Sequence, residues 1–498
     1  MAGRKIGNHG IVIAIVASIF FAFLPSSHNP HAQTAPSSPP SSFILENGME
    51  VILLPLPEST EVSLGIVFRG GAEAQSKSTA GLFSLLEQVI FRGTASSPGE
   101  PEPGGALEAL EAAAIGGGAA SDRFGISLTL DPSLTAQGFD TIAYLFSGLR
   151  LETALSDPLA LEHAKTTSLA RIYADTGLPE KVFEAAMAKK LFSVAPWRLD
   201  VAGAESVIKA ATAEGLKALA AAWLVPNNAL LVVTGSFSAE EARPQIEKAF
   251  SSWKKTADPW KTPSAPFPKP GVSRPTLMVF ADASIQQGQA LIEMRYRGPD
   301  VASNRQAAAE VWAEMTSQPA SRLVQALVKG LPKASLPSLI FARYLPSRSA
   351  SWFSVSARVT LAAKENLADT ILTFKEIVRG SEMYAMKTNP SYFTPKDYES
   401  AKVAIQKKRD DMLTSPMEAS AAIAEAWILG GSQWLQSWAA RIAAVTNKDM
   451  MAFADEYFMK NLEVVAVRLE PGDFAARKKS FDAYGFEIIS DQKAFWWK

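Results

Sequence analysis

The chain has 498 residues, which is too long for one ordinary hydrophobic core and favours two or more domains. Its 49 basic and 50 acidic residues give a net charge of −1, so the sequence has neither the basic excess of a nucleic-acid-binding protein nor a polybasic membrane-binding surface. Hydrophobic residues make up 47% and charged residues 20%, the proportions of a soluble globular protein.

Residues 1–32 have the pattern of a signal peptide. A basic start precedes the apolar run Ile11–Leu24, which is too short to span a bilayer comfortably, and a cleavage site follows at Ala32. Because there is no lipid-attachment cysteine, we predict an exported, periplasmic protein with no integral membrane segment after cleavage. The alternative is that the segment remains as a membrane anchor. The Pro/Ser-rich residues 33–42 predict a disordered spacer.

Histidine and cysteine are too few for an ordinary zinc site. The chain has 4 histidines and no cysteine, and cleavage after Ala32 leaves only His163 in the mature protein. Protein zinc sites use several imidazole, thiolate or carboxylate ligands. We therefore expect no zinc cofactor and a fold that does not depend on disulfides.

A first α/β half is predicted over residues 43–254. It opens with two β-rich runs separated by Asn47-Gly48, followed by a strand over Val62–Phe68 that ends at a Gly-Gly pair. A helix over Ser78–Phe91 and the strand FGISLTLDP come next. Helical periodicity then covers Thr135–Leu149, Leu159–Ala174 and Leu178–Leu191, before the buried strand NALLVVTGSF and a helix over Ala239–Trp253.

A Pro-rich linker, residues 255–275, leads to a second half over residues 276–498 that repeats this order. The segments VSLGIVFRGG and ALIEMRYRGP hold corresponding positions, each ahead of the first long helix of its half. We interpret the two halves as a duplication, the alternative being two α+β domains that agree by chance. The second half is predicted to contain strands TLMVFAD, GQALIEMRYRG, SWFSVSARVTL and NLEVVAVRLEP, and helices over Asn304–Met315, Ala320–Val328, Lys364–Arg379, Pro395–Leu413 and Met417–Ile428.

The helical segment GLFSLLEQVIFRGT, Gly81–Thr94, carries the candidate site. Its leucines, valine and isoleucine recur at helical spacing and predict a core face, whereas Ser84, Glu87 and Gln88 share another face. Taken alone, Glu87 has the ordinary explanation of a solvated polar face.

Together with its flanks, this segment resembles the pitrilysin/insulinase family of zinc peptidases, whose inverted zinc motif is HxxEH. The matching segments include Gly-Gly-x-Glu before the helix, FRGT after it, the Gly-rich stretch before FGISL, and the run leading to PNNALLVVTG. The likeness extends from about Phe43 to the C-terminus and is strongest up to Phe250. It implies an α+β fold of two homologous halves, each a mostly antiparallel sheet with packed helices, forming a clamshell as in the processing peptidases.

The resemblance places Ser84 and Gln88 at the two zinc-binding histidines and retains Glu87 at the general-base position. Motif alignment places Arg171 at the third ligand, a glutamate in the family. Serine and glutamine are weak zinc ligands, and arginine puts a positive charge where the dication would lie. Arg171 could instead pair with Glu87 in place of the metal. The resemblance thus predicts a pseudoenzyme with a zinc-free site and no autonomous peptidase activity.

Two assignments remain open at this point. Spacing alone puts the third ligand near Lys165, and Glu162 is close enough along the chain to compete, whereas nothing recruits His163 as a ligand. In the second half, the family's substrate-binding Arg and Tyr, seven residues apart, fall on Val328 and Ser335.

Three functions follow from the resemblance. The first is a structural or regulatory subunit that pairs with an active zinc-bearing homologue as a heterodimer, or with itself. The second is a free-standing peptide-binding or chaperone-like periplasmic protein, in which Gly118, Ala119 and Ala120 add an extended peptide to an edge strand. The alternative for these three residues is a small-residue loop that serves only to turn the chain. The third function is an active metallopeptidase with aberrant ligands.

Overall fold

The computed structural model describes residues 39–92, 110, 114–192, 200–260, 274–331, 336–361 and 366–497. The predicted signal peptide, most of the spacer and most of the linker lie outside these ranges. Within them, no helix combines the length and the apolar character needed to cross a membrane.

Six strands form the first sheet, in the order β1-β2-β6-β3-β5-β4. Strands β2 and β6 are parallel, and the other neighbours are antiparallel. The chain turns between β1 and β2 at Gly48, whose φ of 87° suits a glycine hairpin turn. Strand β1 extends two residues into the predicted spacer, because Ser41 and Ser42 pair with β2. The strands are β1 Ser41–Ile44, β2 Glu50–Pro55, β3 Val62–Arg69, β4 Ala114–Ala119, β5 Arg123–Leu130 and β6 Ala229–Gly235.

With the exception of the helix over Pro179–Leu191, the helices of the first half pack on one face of this sheet and bury their apolar residues against it. The single helix predicted over Thr135–Leu149 is two helices, because Ser147 accepts a hydrogen bond from the amide of Arg150 and begins a new one. The helices are α1 Leu82–Arg92, α2 Thr135–Leu145, α3 Gly148–Ser156, α4 Pro158–Gly177, α5 Pro179–Leu191, α6 Glu205–Ala210, α7 Ala213–Trp223 and α8 Ala239–Ala249.

Five strands of the second sheet repeat the topology of the first. The order of the second sheet is β12-β7-β11-β8-β10-β9, with a parallel β7–β11 pair in the place of β2–β6. The sixth strand, β12, is the last described strand in the chain and pairs parallel with β7, whereas β1 is the first described strand and pairs antiparallel with β2. This correspondence confirms the two homologous halves predicted from the sequence. Strands β4 and β9, the equivalent edge strands, and the two-residue strand β12 were not predicted. The strands are β7 Thr276–Ala281, β8 Gln289–Arg297, β9 Ile340–Leu345, β10 Trp352–Thr360, β11 Val464–Leu469 and β12 Glu487–Ile488.

The second half also has one layer of helices against its sheet. Its longest helix, α14, is two helical segments that meet at a kink at Gly431, where φ is 76° and ψ is 179°. The predicted helix Met417–Ile428 corresponds to the first segment, and the second segment was not predicted. Two π-helical segments, Glu376–Met383 and Ala454–Met459, pack against each other. The α-helices are α9 Gln306–Ser317, α10 Arg322–Gly330, α11 Leu367–Lys375, α12 Tyr384–Thr388, α13 Pro395–Met412, α14 Pro416–Ala443, α15 Asn447–Phe453, α16 Pro471–Ala483 and α17 Asp491–Ala494.

The two halves exchange helices. Helix α14 of the second half covers the other face of the first sheet and buries Ile423 and Trp427 against β2, β3 and β6. Helix α5 of the first half covers the second sheet in the same way, with Val182 and Phe183 against β7 and β11. Each sheet is therefore a layer between helices of both halves, and separating the halves would expose apolar surface on both sheets.

Candidate functional site

A pair of glycines sets the position of helix α1. Gly81 and Gly203 have φ values of 95° and 85°, and a Cβ on Gly203 would lie 2.2 Å from the Cα of Gly81. The side chain of Gln75 accepts a hydrogen bond from the amide of Gly81 at 3.1 Å. The backbone before α6 can therefore touch the start of α1, a contact that any side chain would prevent.

The polar face of α1 lies against helix α4. Ser84 and Gln88 are buried, with 1% and 7% of their surfaces exposed. From α4, Arg171 reaches this face with its Nη1, which lies 3.3 Å from Ser84 Oγ and 3.6 Å from Glu87 Oε2. The guanidinium group thus lies between a position assigned to a lost zinc ligand and the retained glutamate.

Glu87 is also held by strand β4. The amide of Ala119 donates a hydrogen bond to Glu87 Oε2 at 2.9 Å, and Gln88 Nε2 donates to Glu87 Oε1 at 3.5 Å. A Cβ on Gly118 would lie 2.7 Å from the carboxylate, so this position has no room for a side chain. One carboxylate therefore joins α1, α4 and β4, and its charge is balanced by Arg171.

The other candidates on α4 lie away from this site. Glu162 is nine residues before Arg171, which corresponds to about 180° around a helix, and it pairs at the surface with Lys165 at 2.9 Å. His163 is exposed. Of the side chains considered for the third ligand position, Arg171 is the one that contacts α1.

The second half contains a corresponding ion pair that the sequence reading missed. Lys408 Nζ on α13 lies 2.5 Å from Glu314 Oε2 on α9. Helices α4 and α13 both begin with the pattern P-x-x-x-E-x-A-K, and Arg171 and Lys408 each lie 13 residues after the initial proline. The side chains of Glu87 and Glu314 are similarly buried, at 14% and 12% exposure. An acid–base pair thus joins equivalent helices in both halves.

The residues at the degenerate motif do not fit a zinc ion. Two neutral side chains and a guanidinium replace the nitrogen, sulfur or carboxylate ligands that zinc requires. Among the described residues, no group of three or more His, Cys, Asp and Glu side chains could hold a metal ion. The expectation of a zinc-free site rests on the chemistry of the side chains at these three positions.

The small-residue segment predicted to bind peptide is the end of an edge strand and the turn that follows it. Gly118 and Ala119 are the last residues of β4, which pairs only with β5 in the described sheet. The amide of Ala120 bonds to the carbonyl of Arg123 at 2.9 Å and closes the hairpin. Of these three residues, Ala120 directs its amide into the hairpin and Ala119 directs its amide towards Glu87.

Metal analysis tests the assignment of the three degenerate positions. We expect the purified mature chain to contain no stoichiometric zinc after dialysis. The triple variant Ser84→His, Gln88→His and Arg171→Glu is expected to bind about one equivalent, because it restores three ligands around the retained Glu87. The variant with only the two histidines serves as the control and should bind zinc at least tenfold more weakly. Zinc retained by the wild-type chain would contradict the assignment.

Comparisons with known proteins agree with this reading. Residues 210–381 match the family model of the peptidase M16 inactive domain. A protease from Helicobacter pylori has the same fold, with a TM-score of 0.68 at 16% identity, and the match covers 88% of this chain and 100% of that one. The peptidase M16 inactive domain from Pseudomonas fluorescens superimposes with a TM-score of 0.68 at 15% identity over 87% and 98% of the two chains.

The match to a longer protein is partial. The periplasmic protease PqqL from Escherichia coli superimposes with a TM-score of 0.67 at 14% identity, over 90% of this chain but 51% of PqqL. No curated protein sequence matches the chain. At these identities the structural likeness is one of fold, and with the family-model match it confirms the resemblance drawn from the sequence.

Proposed function

We propose that this chain, a pitrilysin/insulinase (M16) family protein of the inactive type, is an exported, non-catalytic subunit that pairs with an active zinc-bearing homologue. The observation that carries the proposal is the position of Arg171. Its guanidinium contacts Ser84 Oγ and Glu87 Oε2, so a positive charge lies directly beside the glutamate retained at the general-base position. Without a metal-bound water, Glu87 has no nucleophile to deprotonate.

The second ion pair supports a structural role for the first. Glu314 and Lys408 connect α9 to α13 in the second half, to which no zinc motif is assigned. Glu87 and Arg171 connect α1 to α4 in the same way in the first half. The two pairs join corresponding helices, and their carboxylates are similarly buried. We infer that the pair in the first half holds two helices together in place of a metal.

The partial match to PqqL supports the proposal of a partner. This chain corresponds to about half of that single polypeptide, which is described as a periplasmic protease. A second chain of similar fold would complete an assembly of the same size. In the proposed pair, the partner supplies the zinc site and this chain supplies the second half of the assembly.

Co-purification from the native host tests the pairing. The mature chain with an affinity tag is expected to bring down a homologue with an intact HxxEH motif, and the complex is expected to cleave peptides in a chelator-sensitive manner. The chain purified alone should show no such cleavage. Recovery of the chain by itself, with no associated homologue, would contradict the pairing. Chelator-sensitive cleavage by the isolated chain would instead indicate an active peptidase with aberrant ligands.

One observation favours a second candidate, a free-standing peptide-binding or chaperone-like protein. Strand β4 pairs on one side only within the described sheet, so the backbone groups on its other side face away from the sheet. An extended peptide can add to such an edge through main-chain hydrogen bonds. Recovery of the chain with bound peptides and without a homologue would support this candidate over the first.

A further inference from the structure

Among the described strands, β4 pairs on one side only, and alternate backbone groups point towards its other side. In an antiparallel pair, alternate residues direct their amide and carbonyl groups away from the partner strand. The amide of Ala119 bonds to Glu87 and not to β5, so it belongs to the outward set. By the same alternation, Gly117 and Ile115 direct their backbone groups to this side.

Glu87 occupies the last outward position on this edge. Its Oε2 accepts the Ala119 amide at 2.9 Å, and its carboxylate lies directly against Gly118. A strand that adds to an edge runs about 4.8 Å from it, in the space that this carboxylate fills. A hydrogen bond to an ionised carboxylate is also stronger than the bond to a peptide carbonyl that would replace it.

The equivalent edge of the second half is blocked by a different side chain. The hydroxyl of Ser317, at the end of α9, donates to the carbonyl of Ala342 at 2.7 Å and accepts its amide at 3.3 Å. Ala342 is in the middle of β9, so both of its outward groups are bonded within the chain. Each edge strand is thus bonded by a side chain from the equivalent helix of its half, α1 or α9.

We propose that Glu87 acts as an internal plug on the edge of β4 and competes with extended peptides for the Ala119 amide. The proposal rests on the second candidate function, in which β4 accepts a peptide. Arg171 holds the plug in place through its contact with Glu87 Oε2. A residue in the general-base position therefore limits peptide binding in this chain.

The test compares Glu87→Ala with Glu314→Ala in the full mature chain. The second variant is a matched control, because it removes a similarly buried carboxylate that is paired with a base on the equivalent helix. The probe is a fluorescein-labelled octapeptide of alternating threonine and serine, measured by fluorescence anisotropy. A second probe has alternate amides N-methylated, so it has half the main-chain donors.

Glu87→Ala is expected to bind the first probe about ten- to a hundredfold more tightly than the wild-type chain, since the competing charged hydrogen bond is lost. Glu314→Ala should bind like the wild type, and Glu87→Ala should bind the N-methylated probe more weakly than the first probe, because strand addition also uses the peptide's own amides. Equal binding by Glu87→Ala and wild type would overturn the plug while leaving a peptide site in place. Absence of binding by all three proteins, with unchanged thermal unfolding, would overturn the plug and the peptide-binding function, while the proposed pairing would still stand.

Discussion

Replacing Trp427 with alanine is expected to lower the free energy of unfolding by about 3 to 5 kcal/mol, the range for truncating a buried aromatic side chain. Trp427 lies on helix α14 of the second half and is 1% exposed. It packs on the face of the first sheet that this helix covers. The guanidinium of Arg69 lies 3.8 Å from the centre of its ring, and Arg69 Nη2 donates to its carbonyl at 3.3 Å. The variant therefore loses packing and a cation–π contact between the two halves.

Chemical denaturation of the mature protein measures this effect. Met417→Ala on the same helix is the control, because Met417 is 52% exposed and its truncation should change stability by less than about 0.5 kcal/mol. Hydrogen exchange should show that protection falls in both halves of the Trp427 variant, since the helix belongs to one half and covers the sheet of the other. A loss below about 1 kcal/mol would show that the exchanged helix contributes little to joining the halves.

Asp200 is expected to make stability depend on pH. Burial raises the pKa of Asp200 to about 7, against an opposing hydrogen bond from Trp497, and the nearby Asp175 raises it further. Its Oδ2 has no hydrogen-bond partner among the described residues. Because the folded chain holds a proton that the unfolded chain has released, the protein loses stability as the pH rises from about 4 to about 7. The full penalty corresponds to about 4 kcal/mol.

Asp200→Asn removes this titration and is expected to stabilise the protein at pH 8 by up to about 4 kcal/mol, with little difference from wild type at pH 4. The measurement is the difference in unfolding free energy between variant and wild type from pH 4 to pH 8. Asp140→Asn, at an exposed position on α2, is the control for removing one carboxylate. A difference that does not grow with pH would show that Asp200 is ionised in the folded protein throughout this range.

The C-terminal aromatic residues lie close to Asp200, which interacts with Trp497. The chain ends with the aromatic-rich sequence AFWWK, residues 494–498. In the structure, helix α17 packs against α5, and Phe495 is 2% exposed in the core that α5 shares with the second sheet. Lys189 on α5 donates to the carbonyl of Lys493 at 2.8 Å. The tail therefore closes over a helix of the first half.

Local pattern was sufficient to predict most strands and helices, because periodicity, glycine turns and prolines act over a few residues. The assignment of Ser84 and Gln88 to lost zinc-ligand positions came instead from the family resemblance, because local pattern alone explains Glu87 as part of a polar helix face. The two edge strands were missed for different reasons. Strand β4 has three consecutive glycines and a single β-branched residue, Ile115, so its strand propensity is low. Strand β9, IFARYL, has no regular alternation of polar and apolar residues.

What the sequence determined about this protein by itself was its family resemblance, the duplication and the identity of the residues at the degenerate site. Only the tertiary structure decided which side chain of α4 reaches Glu87, because Arg171, Lys165 and Glu162 lie on one helix and face in different directions. It also decided that Glu87 bonds to Ala119, 32 residues away. These contacts depend on how α1, α4 and β4 pack together, which no local pattern along the chain encodes.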